Sequence, residues 1–135
     1  MPAKDLYHDA VVNALRKDGW RILKEQFRLV IENRKAWLDI RASKQQPREV
    51  IFIEVKSFEN IPSQVAYLQQ ILGQYLLYRA IIEEREQNED LFLAIPGHAY
   101  EGIFSEEIGK FVIRRFQLKI VVFDAEKETI IQWIT

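Results

Sequence analysis

The stretch Val50-Ile51-Phe52-Ile53-Glu54-Val55-Lys56-Ser57 decides the fold of this chain. Its β-branched and aromatic residues predict a buried strand. Because side chains alternate along a strand, we expect Phe52, Glu54 and Lys56 on one face and the aliphatic residues on the other. Charges are rarely buried unless they are paired or bind a metal, so the end of this strand is the first candidate site.

A second acidic residue lies on the preceding stretch of the chain. Residues 36–42, with the sequence Ala-Trp-Leu-Asp-Ile-Arg-Ala, are also strand-like and carry Asp39 at their centre. A polar loop at 43–48 separates the two stretches, which predicts an antiparallel hairpin. Such a hairpin would bring Asp39, Glu54 and Lys56 together at one edge of a sheet.

Two neighbouring carboxylates predict a site for a divalent cation. At about 4 Å, two such charges repel by roughly 4 kcal/mol at an effective dielectric of about 20, so one is protonated or a cation lies between them. Mg²⁺ or Mn²⁺ suits such an oxygen-rich site and would activate water and stabilise phosphoryl charge. Lys56 would orient that water or neutralise a phosphate. From the residues alone, the other interpretation is a surface ion pair between Glu54 and Lys56, with Asp39 opening a turn.

The remaining pattern predicts one α/β domain over residues 1–135, with a central mixed β-sheet flanked by helices. Helices are expected at 4–18, 60–87 and 105–116, with Asn60 and Ser105 as the caps of the later two. Further strands are expected at 20–24, 27–31, 91–95, 119–123 and 129–134.

The long second helix is expected to carry a polar stripe between two apolar sides. The broad apolar face should lie on the sheet and consists of Val65, Leu68, Leu72, Tyr75 and Leu76. Gln74 and Tyr78 fall in the polar stripe, where they either face the acidic residues or form a half-exposed rim. Leu77 and Ile81 lie beyond the stripe, which makes a second copy of the chain, as in a homodimer, or another protein a candidate partner.

Composition limits the possible function classes. The chain has no cysteine, which excludes disulfides, thiolate catalysis and cysteine-based zinc sites. Its first residues form no apolar signal core, and no apolar run reaches the length of a membrane span, so we expect a cytoplasmic protein. A formal net charge of −1 is unusual for a stand-alone DNA-binding domain and suggests that a partner helps to hold DNA.

The order of a helix, two or three strands with Asp39 and Glu54-Val55-Lys56, and a long helix resembles the PD-(D/E)xK phosphodiesterase superfamily, the restriction-endonuclease-like fold. This resemblance implies that Asp39 and Glu54 bind Mg²⁺ and that Lys56 assists the attacking water. Leu38 stands where the motif has proline. Some branches also carry a Gln-x-x-x-Tyr motif on the following helix.

Three further candidate site residues come from the same resemblance. Gln74 and Tyr78 match the helical Gln-x-x-x-Tyr motif. In this superfamily an acidic residue on the first helix can reach the metal, and the nearest positions here are His8 and Asp9, with Asp5 one turn earlier. His8 would bind the metal or donate to a phosphate. An exposed helix residue is the other interpretation of His8.

The whole chain resembles the XisH family, named as a controlling factor for excision of the fdxN DNA element in cyanobacteria. The segments that carry the resemblance are Asp5-x-x-His8-Asp9, Ala14-Leu15-x-x-Asp18-Gly19-Trp20, Leu38-Asp39-Ile40, Ile53-Glu54-Val55-Lys56-Ser57-Phe58, Ala94-Ile95-Pro96, Val121-Val122-Phe123-Asp124 and Ile131-Gln132-Trp133-Ile134. The resemblance implies a DNA-element excision controlling factor, with DNA and a second small excision factor or a recombinase as partners. Two functions stay open: a metal-dependent DNA endonuclease, and a non-catalytic accessory protein that keeps the fold and binds another excision protein.

Overall fold

A six-stranded mixed sheet forms the centre of the computed structural model, which describes residues 4–85 and 88–135. The helices are α1 (His8–Lys17), α2 (Gln64–Glu84), α3 (Gly97–Glu101) and α4 (Glu107–Phe116), with a 3₁₀ turn at Ile103–Ser105. The strands are β1 (Arg21–Ile31), β2 (Arg34–Lys44), β3 (Glu49–Val55), β4 (Asp90–Pro96), β5 (Ile120–Asp124) and β6 (Thr129–Ile134). The predicted α/β architecture with a central mixed sheet flanked by helices is confirmed. No helix within the described residues combines the length and the apolar composition that a membrane span needs.

The strands follow one another across the sheet in chain order, from β1 to β6. β1, β2 and β3 pair antiparallel, β3, β4 and β5 run parallel, and β6 returns antiparallel to β5. The two parallel connections advance in the same direction, and right-handed crossovers of that kind place their helices on one face of a sheet. Accordingly α2 and α4 share one core cluster, whereas α1 packs on the opposite face.

The strand β3 is buried on both faces, which accounts for its continuous apolar sequence. Phe52 packs into the core beneath α2, while Ile51 and Ile53 pack into the core beneath α1. The predicted alternation along this strand is therefore confirmed. It leaves Glu54 on the face of Phe52, turned toward α2.

The two strands predicted at 20–24 and 27–31 form the single strand β1. Its pairing with β2 shifts between Ile22 and Lys24, and Gln26 has a positive φ of 54°. Such irregularities bend a strand and increase its twist without ending it. The gap between the two predicted strands, at residues 25 and 26, falls in this irregular region, and the pairing of β1 with β2 continues across it.

Helix α2 begins later than predicted. Ser63 rather than Asn60 is its N-cap, since the Ser63 hydroxyl accepts a hydrogen bond from the Ala66 N–H at 3.2 Å. Asn60 has a positive φ of 53°, which is typical of a turn. The expected end of this helix near Gln87 lies outside the described residues, and α2 ends at Glu84.

The first and last helices are also shorter than predicted. Helix α1 begins at His8 rather than near Lys4. Helix α4 begins at Glu107, because Ser105 belongs to the preceding 3₁₀ turn. The Ser105 hydroxyl donates to the Glu101 carbonyl at 2.8 Å instead of capping α4.

Helix α2 turns a slightly different face to the sheet than its sequence pattern predicts. Its buried side chains are Leu68, Ile71, Tyr75, Ile81 and Ile82. Val65, expected on the sheet face, is exposed. Ile81, expected on an outer apolar side, packs in the chain's own core and leaves Leu77 exposed. The Tyr75 hydroxyl supports this orientation by donating to the Leu91 carbonyl at 2.7 Å.

Two helical glycines provide a matched test of this packing. A Cβ at Gly109 would lie 2.2 Å from the Ile103 carbonyl oxygen, so we expect Gly109→Ala to lower the free energy of unfolding by about 3 kcal/mol. A Cβ at Gly73 would meet nothing within 4 Å, so Gly73→Ala should raise it by about 0.5–1 kcal/mol. Urea denaturation measures both changes. Equal effects of the two substitutions would contradict the close packing of α4 on the 3₁₀ turn.

Candidate functional site

The antiparallel ladder between β2 and β3 ends where the two acidic residues meet. Regular pairing runs from the hairpin as far as Ile40 opposite Ile53. Beyond that point the Asp39 N–H donates to Glu54 Oε1 at 2.9 Å. The Val55 N–H donates in turn to Asp39 Oδ2 at 2.7 Å. Each carboxylate thus takes the place of a backbone carbonyl of the opposite strand.

These two hydrogen bonds from backbone N–H groups to carboxylates, rather than an ion pair, hold Asp39 and Glu54 side by side. The predicted hairpin is present, and its strands separate only after the last regular pair. Because a buried N–H without a partner is costly, the two backbone donors favour a structure in which both carboxylates stay in place. Asp39 and Glu54 therefore stabilise the end of the β2–β3 pairing, and they also face the open space in front of it.

An open cleft of about 260 Å³ lies in front of the two acids. Its lining residues are Lys4, Asp5, Lys35, Ala36, Trp37, Asp39, Glu54, Val55, Lys56, Gln74 and Tyr78. The cleft therefore brings together five of the six side chains predicted from the sequence: Asp39, Glu54, Lys56, Gln74 and Tyr78. Acids, amines and an amide converge here from β2, β3, α2 and the residues before α1.

A larger cavity of about 560 Å³ lies elsewhere, between α2 and the start of β4. Its charged side chains already have protein partners. Lys119 lies 2.8 Å from Asp90, and Arg79 donates to the Phe116 carbonyl at 2.8 Å. The acid cleft, although it is smaller, is therefore the better candidate for the functional site.

Burial dominates the electrostatics of the acid pair. Burial, followed by the charge of Asp39, raises the pKa of Glu54 to about 8, and the Glu54 residue is only 4% exposed. Burial also raises the pKa of Asp39, although the hydrogen bond from Val55 and the charge of Lys56 oppose this shift. Near neutral pH the pair therefore holds about one proton, unless a cation replaces it.

The donor set of the pair fits a hard divalent cation. One oxygen of each carboxylate accepts a backbone hydrogen bond, which leaves Glu54 Oε2 and Asp39 Oδ1 without a protein hydrogen bond among the described residues. Oxygen-only sites with one or two carboxylates are the usual protein environment of Mg²⁺. Lys56 lies two residues after Glu54 and is half-buried. Its charge lowers the pKa of both acids.

A third carboxylate, Asp5, enters the cleft from the segment before α1. Its Oδ2 accepts a hydrogen bond from the Ser57 N–H at 3.2 Å, and its Oδ1 accepts one from the Tyr7 N–H at 2.9 Å. Its charge further raises the pKa of both Asp39 and Glu54. The superfamily resemblance named Asp5 as a candidate one turn before His8 and Asp9, and of these three residues only Asp5 lines the cleft.

Gln74 and Tyr78 lie one turn apart on α2 and face the acids across the cleft. The Gln74 Nε2 donates to the Tyr78 hydroxyl at 3.3 Å. Burial raises the pKa of Tyr78, and the charges of Glu54 and Asp39 act in the same direction. The Tyr78 hydroxyl therefore stays protonated and is available to donate a hydrogen bond.

His8 does not line the cleft, unlike the other side chains predicted from the sequence. It is buried, 1% exposed, and its Nε2 lies 2.7 Å from Glu25 Oε1 on β1. The expectation that His8 is an exposed helix residue is wrong. A charge on His8 lowers the pKa of Asp39, so the ring lies close to the acid pair without facing the same space.

Comparisons with known proteins agree with this arrangement of elements. The XisH protein family profile matches residues 1–131. The chain is similar to the crystal structure of an XisH family protein from Nostoc punctiforme PCC 73102, with 34% identity, a TM-score of 0.89, and coverage of 97% of this chain and 100% of that one. It is also similar to the structure of a fdxN element excision controlling factor protein from Anabaena variabilis, with 33% identity, a TM-score of 0.89, and coverage of 98% and 100%. No curated protein matches the chain.

The raised pKa of Glu54 predicts that its charge destabilises the fold as pH rises. The folded state binds the Glu54 proton more tightly than the unfolded chain, so stability is lost between about pH 4.5 and pH 8. Glu54→Gln keeps an acceptor for the Asp39 N–H and removes the charge. We expect this variant to be more stable than wild type by about 1–3 kcal/mol at pH 8, and by much less at pH 5.

Urea denaturation at several pH values measures this difference in the free energy of unfolding between Glu54→Gln and wild type. Glu126→Gln, an exposed acid on the turn between β5 and β6, is the control and should leave the pH dependence unchanged. A Glu54→Gln gap that stays constant from pH 5 to pH 8 would contradict the burial of a titrating Glu54.

Proposed function

The chain belongs to the XisH family, and we propose that it is a DNA-element excision controlling factor that hydrolyses a phosphodiester bond of DNA with Mg²⁺ or Mn²⁺. The observation that carries this proposal is the reciprocal pair of hydrogen bonds, which holds Asp39 and Glu54 together in an open cleft beside Lys56. The similarity to a protein named as an excision controlling factor supports DNA as the substrate. The order of elements supports a restriction-endonuclease-like core.

Each cleft residue has a defined role in this proposal. Asp39 and Glu54 would hold the cation through their carboxylates. When bound, the cation lowers the pKa of a water molecule and stabilises the charge on the phosphoryl group. Lys56 orients the attacking water and neutralises a phosphate oxygen. Gln74 and Tyr78 position the phosphate from the opposite wall by donating hydrogen bonds.

The other cleft residues suggest how a DNA strand is held. Lys4 and Lys35 add positive charge at the rim, where they can contact the phosphates beside the scissile bond. Trp37 offers a flat surface on which an unpaired base can stack. With a net charge of −1 the chain supplies little further attraction for DNA, so a partner protein adds to DNA affinity.

Cleavage assays with isosteric variants test this proposal. Asp39→Asn keeps an acceptor for the Val55 N–H but removes the charge that holds the cation. With Mg²⁺ or Mn²⁺ and branched, nicked and single-stranded DNA, we expect this variant to lose more than about 100-fold in cleavage rate. Asp124→Asn is the matched control, because Asp124 also accepts backbone hydrogen bonds, from Glu126 and Lys127, but it is the last residue of β5, two strands away from β3, and does not line the cleft.

Two outcomes would overturn the catalytic role. One is equal cleavage by wild type and Asp39→Asn, which would assign the activity to a contaminant or another site. The other is no cleavage of any of these DNA structures by wild type with either ion. Circular dichroism must show that each variant keeps the wild-type fold.

A non-catalytic role as an accessory protein is the second candidate function. Ile108 and Phe111 lie one turn apart on α4 and are both exposed, which favours contact with another protein. Leu77 on α2 is exposed as well. A stable complex with a recombinase or a second small excision factor, together with no measurable Mg²⁺ affinity by calorimetry, would favour this role over hydrolysis.

A further inference from the structure

We propose that His8, Asp9 and Glu25 form a second metal site, outside the acid cleft, that binds a transition-metal cation such as Zn²⁺. The three residues come from two elements: His8 and Asp9 begin α1, and Glu25 lies on β1. One ligand atom from each lies within 4.8 Å of the others. The site does not depend on the hydrolysis proposed above.

The imidazole of His8 is held in place for metal binding. Its ring is buried, and Nε2 lies 2.7 Å from Glu25 Oε1. Nδ1 is also buried and has no hydrogen-bond partner among the described residues. A metal at Nε2 would displace the proton shared with Glu25 and leave the ring proton on Nδ1. The neutral ring then presents Nε2 as a ligand, as histidine does in most metal sites.

The positively charged ammonium group of Lys4 already lies near both carboxylates of this cluster. Lys4 Nζ lies 3.3 Å from Asp9 Oδ1 and 3.9 Å from Glu25 Oε1. The ammonium therefore marks a point at which both carboxylates attract positive charge. Lys4 is half-exposed, with a side-chain exposure of 52%, so it is free to leave when a divalent ion competes for the same oxygens.

The ligand types favour Zn²⁺ over Mg²⁺. One imidazole nitrogen and two carboxylate oxygens suit a borderline metal, whereas Mg²⁺ prefers oxygen ligands alone. Zinc binds such atoms at about 2.0–2.2 Å in tetrahedral geometry, so two ligands of one ion are roughly 3.4 Å apart. The 4.8 Å spread would therefore have to close by about 1.4 Å. Asp9, whose side chain is 79% exposed, is the ligand with the most freedom to move.

Metal binding here has a consequence for the acid cleft. Lys4 lines that cleft, and the next residue, Asp5, bonds the Ser57 N–H beside the acid pair. Release of Lys4 from Asp9 and Glu25 leaves its ammonium group free to pair with DNA phosphates at the cleft rim. The segment before α1 thus links the two sites.

Nuclear magnetic resonance of the histidine rings tests the site directly. The chain has two histidines, so His98→Gln identifies the His8 signals. Titration of wild type with Zn²⁺ should shift the Nε2 resonance of His8 and leave that of His98 unchanged. Glu25→Gln and Asp9→Asn should each weaken Zn²⁺ binding by at least about 10-fold. Lys4→Met should strengthen it by about two- to five-fold, because the competing ammonium is gone.

The Asp39→Asn variant distinguishes metal binding at this site from metal binding in the acid cleft. It should leave unchanged both the His8 shift and the Zn²⁺ concentration at which that shift appears, whether or not the chain cleaves DNA. Loss of the His8 shift in Asp39→Asn would place the ion in the cleft and overturn the second site. The same conclusion follows if Glu25→Gln binds Zn²⁺ as tightly as wild type, or if wild type binds none.

Discussion

Two backbone N–H groups that lose their partners at the end of a strand ladder determine how this site is built. The β2–β3 hairpin separates beyond Ile40 and Ile53, and the carboxylates of Asp39 and Glu54 accept the hydrogen bonds that the opposite strand no longer accepts. The burial of both acids follows from this exchange, since a buried N–H without a partner would cost about 1–3 kcal/mol. The same exchange places two like charges next to each other, so the pair is neutralised by a proton or by a cation.

The rest of the fold supports this arrangement. The apolar run of β3 fixes Glu54 on the α2 side of the sheet, because its neighbours Ile53 and Val55 are buried under α1. Helix α2 then presents Gln74 and Tyr78 across the cleft. The segment before α1 adds Asp5 to the cleft, while α1 itself directs His8 away toward Glu25 on β1. One short region of the chain therefore contributes to two clusters of ionisable side chains on neighbouring strands.

Periodicity predicted the part of the site that lies on regular elements. Alternation along β3, the hairpin to β2, and the one-turn spacing of Gln74 and Tyr78 were sufficient to bring those side chains together. The position of Asp5 was not predictable in the same way, because it depends on the path of the chain before α1. The pairing of His8 with Glu25 depends on the irregular pairing of β1 around residues 22–26, where the sequence predicted a gap between two strands. The face that α2 turns to the sheet was only partly predictable, because tertiary packing buries Ile81 and exposes Val65.

The most direct test of the acid pair is a count of the protons released when a divalent cation binds. Calorimetric titration of Mn²⁺ at pH 7, in buffers of different ionisation enthalpy, measures this number. Because burial and the Asp39 charge raise the pKa of Glu54 to about 8, we expect release of about one proton per ion bound, decreasing as the pH rises above that pKa. Mn²⁺ binding without proton release at pH 7, or the same release from Glu54→Gln, would contradict it.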